Sequence, residues 1–264
     1  MVRENLDIRI RDSIDDHMFG LRWWLRETGD IPLEEMSSFF DTRMEDYPYH
    51  MDRWTNAYLA FPGYLPAGIQ DVLDLGCGYG KELDTVLPAF PGISVTGIDM
   101  SGAMLDELAR RHPEVKRIRG NYCLTPFEES SYDAVISFES LHHLLPEPKL
   151  ELYRKIFRCL RPGGIFLNCD YFACCEEEED LLRDVFLKKQ RLRVCLPIYP
   201  CILTFPSPFP TNQIFWKAPG SPHARRCHPM PVPVFLRRYA DRVFCKKSLK
   251  LAEYCPYFWT VLFL

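Results

Sequence analysis

The sequence predicts an α/β chain built on a doubly wound, mostly parallel sheet, with a helical lid before it and an irregular tail after it. Three observations carry this. Between residues 70 and 194, short apolar runs alternate with amphipathic stretches, the rhythm of a parallel sheet covered on both faces by helices. The first of those runs, DVLDL, passes directly into the glycine-rich turn GCGYG at 76–80. Composition then shifts near residue 195.

The 69 residues before the sheet read as a helical cap. A helix is expected over 5–27, ending before Gly29. A second starts in IPLEEMSSFFDTRMEDY, with Pro32 early, where its missing N–H costs little. A third, YHMDRWTNAYLAF, ends at Pro62-Gly63. Then strands are expected in DVLDL, ISVTGID, VKRIRG, YDAVISF and IFLNCDYF, the last entered through the turn RPGG. Helices fall in KELDTVLPAF, SGAMLDELARRH with Ser101 as N-cap, EPKLELYRKIFRCL and EEEEDLLRDVFLKKQRLR. The run Glu176 to Asp180 reads as a solvated first turn, favourable at the positive end of its helix.

The totals exclude several roles. The 264 residues suffice for one large domain with additions, and 47% hydrophobic content supplies a core. No apolar run approaches the roughly 18 residues of a membrane span, and the charged N-terminus is no signal peptide. Eleven cysteines show no CxxC pair, so reduced thiols in a cytoplasmic protein are expected. Residues 1–194 hold 23 basic against 34 acidic side chains. A body that acidic is a poor binder of phosphate backbones. No nucleic acid, membrane or metal partner is therefore expected.

In such sheets the ligand sits at the carboxyl ends of the strands. Gly76, Gly78 and Gly80 permit a tight turn and bring a ligand against bare backbone. Asp99, ending the second strand, is placed to accept both hydrogen bonds of a ribose diol. The spacing is G-x-G-x-G, with Lys81 where a dinucleotide site has its third glycine. Lys81 precedes Glu82 rather than the Ser or Thr of a phosphate cradle. A ligand with a ribose but no pyrophosphate is favoured.

VLDLGCGYG, GID followed by Met100 and Ser101, YDAVISFESLHHL and LRPGGIF resemble class I S-adenosylmethionine-dependent methyltransferases, over roughly residues 70–170. The resemblance implies a Rossmann-like domain at 70–194 with S-adenosyl-L-methionine as cofactor. Asp74 would then hold the methionine amino group, directly or through water. Gly76, Cys77 and Gly78 would line the methionine moiety, and Asp99 would bind the ribose with Met100 beside the adenine. Asn121 would face the adenine amino group, Tyr122 would stack nearby, and Phe138 would border the sulfonium.

Methyl transfer from a sulfonium is an in-line displacement in which positioning supplies much of the catalysis. A base is needed only for an acceptor that arrives protonated. Glu139, His142 and His143 follow the fourth strand, where an acceptor would lie, and His143 is ranked first for access. Packing or capping is the competing reading of each histidine. Tyr47, Tyr49, His50 and Trp54 share one window of the lid; Tyr47, His50 and Trp54 are the candidate substrate contacts, again against a packing alternative. FESL stands where base-directed amino-methylases carry a D/N-P-P-Y/F tetrad, and Asp170 stands alone where catechol-type enzymes need an acidic cluster. A small-molecule acceptor remains. The alternative class is a cofactor-binding protein without turnover; a nicotinamide oxidoreductase comes third.

Residues 195–264 hold 11 of the 22 prolines, one of the 14 glycines and two of the 36 acids. The resemblance implies a further helix and two closing strands there, often joined by a phrase like LEEAGF, and none is legible. Regrouping the codons of NQIFWKAPGS from each third base permits PDILEGAGF, with its Leu and Glu forced. We expect this segment to be a wrong-frame translation, poorly packed, without closing strands, and leaving an exposed sheet edge or core face. Sequencing the gene tests this: the alternate frame beyond codon 194 should stay open and encode a patterned helix and strands, and early stop codons would refute it.

Overall fold

A computed structural model describes residues 2–27, 34–45, 47–171, 173, 175–191, 201–202 and 257–263. Its centre is a six-stranded sheet of order β4-β3-β2-β5-β6-β8. The strands are β2 (Asp71–Leu75), β3 (Ser94–Asp99), β4 (Lys116–Arg119), β5 (Tyr132–Phe138), β6 (Leu160–Tyr171) and β8 (Tyr257–Phe263). The first five in that order run parallel, and β8 joins β6 antiparallel. The order reverses between β2 and β5, so a crevice opens beyond Leu75 and Phe138.

Both faces of the sheet are covered, which is why the central strands are near-continuous apolar runs. Val72, Ala134, Ile136, Ile165 and Leu167 face one side, with Phe61, Leu83, Met104 and Leu108. This side is closed by α4 (Thr55–Ala60), α5 (Leu83–Ala89) and α6 (Gly102–Arg111). Leu73, Leu75, Val135 and Phe166 face the other, against Leu152, Tyr153 and Ile156 of α7 (Pro146–Cys159). Each such fully buried side chain contributes about 1.5–3 kcal/mol. At the amino ends, Arg161 binds Asp71 at 2.7 Å and Asp133 at 2.8 Å, tying β2, β5 and β6 together.

The expected turn RPGG lies within the span of β6 as an irregularity. Pairing passes from Tyr132–Leu160 to Ala134–Ile165, with Gly163 at φ +83°. The third expected lid helix is broken into α3 (Tyr47–Met51), a 3-10 turn at Asp52–Trp54, α4, and a second 3-10 turn at Phe61–Tyr64 that contains Pro62 and Gly63. The second lid helix, α2 (Met36–Thr42), starts on Glu35, whose carboxylate accepts from Ser37 and Ser38. Just before it, β1 (Glu34–Glu35) pairs with β7 (Cys201–Ile202). Pro32 lies outside the described residues.

Two expectations are corrected. The acidic start of α8 (Glu176–Arg191) is not wholly solvated: Glu178 is fully buried and meets His17 of α1 (Val2–Glu27) at 2.8 Å. The reason is the apolar stripe of α8, which packs Leu181, Leu182, Val185 and Phe186 on Met18, Leu21 and Trp24 of α1 and carries Glu178 into the seam. The second concerns the tail. Its residues 203–256 lie outside the described ones, but β8 pairs with β6 from Ile165–Phe263 to Tyr171–Tyr257, so that edge is covered. The expectation weighed composition over the whole tail and passed over YFWTVLF, an aromatic and β-branched run suited to a sheet edge.

Ser101 caps α6 by accepting from Met104 N–H at 3.1 Å, and its hydroxyl donates to Asp41 of α2 at 2.5 Å. It therefore joins the lid to the sheet. Ser101→Ala should lower unfolding free energy by about 0.5–2 kcal/mol in a denaturant titration; no change would show that the cap carries no stability.

Candidate active site

The turn after β2 is held by its own backbone. Gly76 and Cys77 donate their N–H groups to Ile98 O at 2.8 and 3.2 Å, and Gly80 donates to Cys77 O at 2.8 Å. Gly76 has φ +72°, and a Cβ there would sit 2.0 Å from Ser140 Oγ. No larger residue fits, so β2 and the segment after β5 approach as closely as they do only because of this glycine. Asp99 is gripped from two sides: Oδ2 accepts from Gly78 N–H at 2.9 Å and Oδ1 from Ser101 N–H at 2.8 Å. Each oxygen keeps lone-pair capacity for a further donor. Burial raises the Asp99 pKa above its ordinary value, against the lowering effect of those two N–H groups.

A cavity of about 600 Å³, counting its open mouth, lies over this turn. Gly76, Gly78, Asp99, Met100, Asn121, Tyr122 and Phe138 line it. Asp74 and Cys77 do not. Cys77 turns into the core, where its Sγ fills the space that a side chain at Gly97 would need. Asp74 is fully buried on the Val72 side, and no N–H or hydroxyl donor reaches either of its oxygens. Glu82 lies beside it, burial raises both carboxyls, and a proton on Glu82 forms a hydrogen bond to Asp74. Asn121 Oδ1 accepts from Cys123 N–H at 2.8 Å and keeps a second lone pair, so both its oxygen and its NH₂ are open to a ligand.

At the other end, Met36, Phe40, Tyr47, Glu139, Ser140, His143 and Leu144 complete the lining. Phe40 and Tyr47 meet edge to face at 5.2 Å, and Phe138 stacks on Tyr58 at 4.0 Å. Of the lid residues singled out from sequence, Tyr47 reaches the cavity; His50 is exposed, and Trp54 packs against the core.

The two histidines are not equivalent. His142 Nδ1 lies 2.6 Å from Asp170 Oδ1, and the Asp170 charge raises its pKa against the opposing cost of burial. His143 is pushed well below its ordinary value by burial and by the charge of His142, with Lys149 adding to this. Their rings are 3.8 Å apart, yet only His143 lines the cavity. Asp170 does not stand alone, which corrects the sequence expectation: ligand atoms of Glu139, His142 and Asp170 lie within 4.8 Å of one another, close enough to hold a metal ion.

Residues 72–164 match the family model of a methyltransferase domain. This segment is a class I methyltransferase domain. Botryococcene C-methyltransferase of Botryococcus braunii is 36% identical over 117 residues, which is 41% of this chain and 29% of that protein. The sterol 24-C-methyltransferase of Pneumocystis carinii is 30% identical over 127 residues, 44% of this chain and 32% of that one. Among solved structures, phosphoethanolamine N-methyltransferase 2 of Haemonchus contortus, with S-adenosyl-L-methionine bound, superposes with a TM-score of 0.42 at 27% identity, over 50% of this chain and 32% of that one. The chain spans about a third of the length of the curated relatives it matches.

In this methyltransferase domain, sequence reasoning missed Met36, Phe40, Met104, Ser140 and Leu144 as cavity residues. The Phe39-Phe40 pair was the one available signal. It missed the Asp170–His142 pair because the partners are 28 residues apart and meet only through the register Phe138–Cys169.

His142 should titrate above about 6.5 and His143 below it, and Asp170→Asn should bring His142 down. Nitrogen-detected NMR of the imidazoles, assigned with His142→Gln and His143→Gln, reads this directly. A raised folded pKa means that the stability contributed by His142 is full below its unfolded value and is lost as pH rises through the folded one. Two histidines titrating together near the ordinary value would contradict the assignment.

Proposed function

We propose that the chain binds S-adenosyl-L-methionine and transfers its methyl group to a small-molecule acceptor. One observation carries the reading: Asp99 stands on the cavity wall at the end of β3, clamped between the N–H groups of Gly78 and Ser101. That is the arrangement a ribose diol needs, beside a turn too bare of side chains to be structural alone. The buried acidic pair Asp74 and Glu82 beneath the turn fits a ligand with an ammonium group. So does a cavity whose charged lining residues, Asp99 and Glu139, are both acidic.

Bound there, the donor supplies an electrophilic methyl on a sulfonium. The residues do the rest. Asp99 takes the ribose hydroxyls, and Met100 packs beside the adenine. Asn121 faces the adenine amino group, to which its Oδ1 still offers a lone pair. Asp74 lies off the cavity wall and acts on the methionine amino group through water. Phe138 borders the reacting centre, with Glu139 and His143 beyond it. The lid residues Phe40 and Tyr47 exclude water from that centre. His143, held neutral, is the group able to take a proton from an acceptor. A binding protein without turnover is not favoured, because the acceptor end carries these groups. Cys77, Cys123 and Cys159 are free thiols, and no described helix is long and apolar enough to cross a membrane; we place the protein in the cytoplasm.

Calorimetry should show binding of the methyl donor or its demethylated product and none of NAD. Asp99→Ala should weaken it by about 1–3 kcal/mol. Asp180→Ala, which removes only an exposed pair with Arg183, should leave it unchanged. Equal effects from the two would show that the ribose lies elsewhere.

A further inference from the structure

Beyond Phe138 the wall of the cavity combines aromatic rings with an acid. Phe40, Tyr47, Phe138 and Glu139 line it, and the Glu139 carboxylate also lies within 4.8 Å of the ligand atoms of His142 and Asp170. No lysine or arginine is among the described lining residues. Glu139 adopts φ +50°, a left-handed conformation costly for a residue with a side chain. Its N–H is fixed to Cys169 O at 2.7 Å, so the conformation is imposed by the edge of the sheet. The electrostatics agree: after burial itself, the Glu139 carboxylate is the next largest cause raising the Tyr47 hydroxyl. Strain kept at the end of a strand, aiming an acid at a ring-lined space, describes a site for a cation.

We propose that the acceptor is an amine, bound with its nitrogen between the Glu139 carboxylate and the rings of Phe40, Tyr47 and Phe138. This rests on the methyl-transfer reading of the preceding section and goes beyond it by choosing the acceptor class. The bound ammonium first gives its proton to solvent; the nitrogen lone pair then forms the new N–C bond as the S–C bond of the donor breaks, and the positive charge passes from sulfur to nitrogen. The resulting ammonium is stabilised where it forms, by the carboxylate and the ring faces. An N–H proton that it sheds passes to solvent. Carboxylate and phenolate acceptors bring negative charge toward Glu139 and Asp99 and are disfavoured at once.

The test uses binding rather than turnover. The full chain is saturated with S-adenosylhomocysteine and titrated by calorimetry with choline, then with 3,3-dimethyl-1-butanol, in which carbon replaces the charged nitrogen. Choline should bind about tenfold more tightly. Glu139→Gln should reduce that preference to within about twofold while S-adenosylhomocysteine still binds, which also shows that the variant is folded. Glu147→Gln, on the exposed face of α7, should leave the preference intact. Equal affinities, no binding of either compound, or a preference that survives Glu139→Gln would each overturn the proposal. Failure to bind S-adenosylhomocysteine at all would instead overturn the reading beneath it.

Discussion

The grip of two backbone N–H groups on Asp99 is the interaction on which the rest of the site depends. One comes from Gly78 in the turn after β2, the other from Ser101 at the start of α6. Ser101 in turn holds Asp41 of the lid, and Asp41 also accepts from Ala103 N–H at 3.1 Å. A single hydrogen-bonded path therefore runs from the glycine turn through the second parallel strand to the helix that roofs the cavity. Loosening any member moves the wall against which a nucleoside would rest. Polar networks of this kind rigidify a site when every member is satisfied.

Acids concentrate around the cavity for a reason that the net charge of the chain conceals. Asp74, Glu82, Asp99, Glu139 and Asp170 all lie at or beneath the carboxyl ends of the strands, and His142 lies beside two of them, Glu139 and Asp170. Holding so much negative charge in a poorly hydrated place is unfavourable unless a cation or a proton answers it. A donor bearing a sulfonium and an ammonium would answer it on one side, and the proposed amine acceptor on the other. The same constraint accounts for the raised pKa values of Asp74, Glu82 and Asp99, each caused first by burial.

The parallel sheet was legible because its strands are short, buried on both faces and punctuated by helices with clear starts, as at Ser101. The glycine turn was legible because its spacing carries a steric meaning that holds in any chain. What escaped was whatever depended on two distant segments meeting. Glu178 reads as one of five consecutive acids, and only the packing of α8 on α1 buries it. Asp170 reads as isolated until β5 and β6 pair. Phe40 reads as lid packing until the lid is seen to form a wall of the cavity. The strand β8 escaped for a different reason, since composition averaged over a long tail hid seven residues of strand-forming sequence.

A crystal structure of the full chain with S-adenosylhomocysteine tests the central claim most directly. The account predicts both ribose hydroxyls within about 2.6–3.2 Å of the Asp99 oxygens, with the adenine between Met100 and Asn121 and the thioether facing Phe138. A nucleoside bound elsewhere, or an Asp99 carboxylate that touches only Gly78 and Ser101 in the complex, would contradict it.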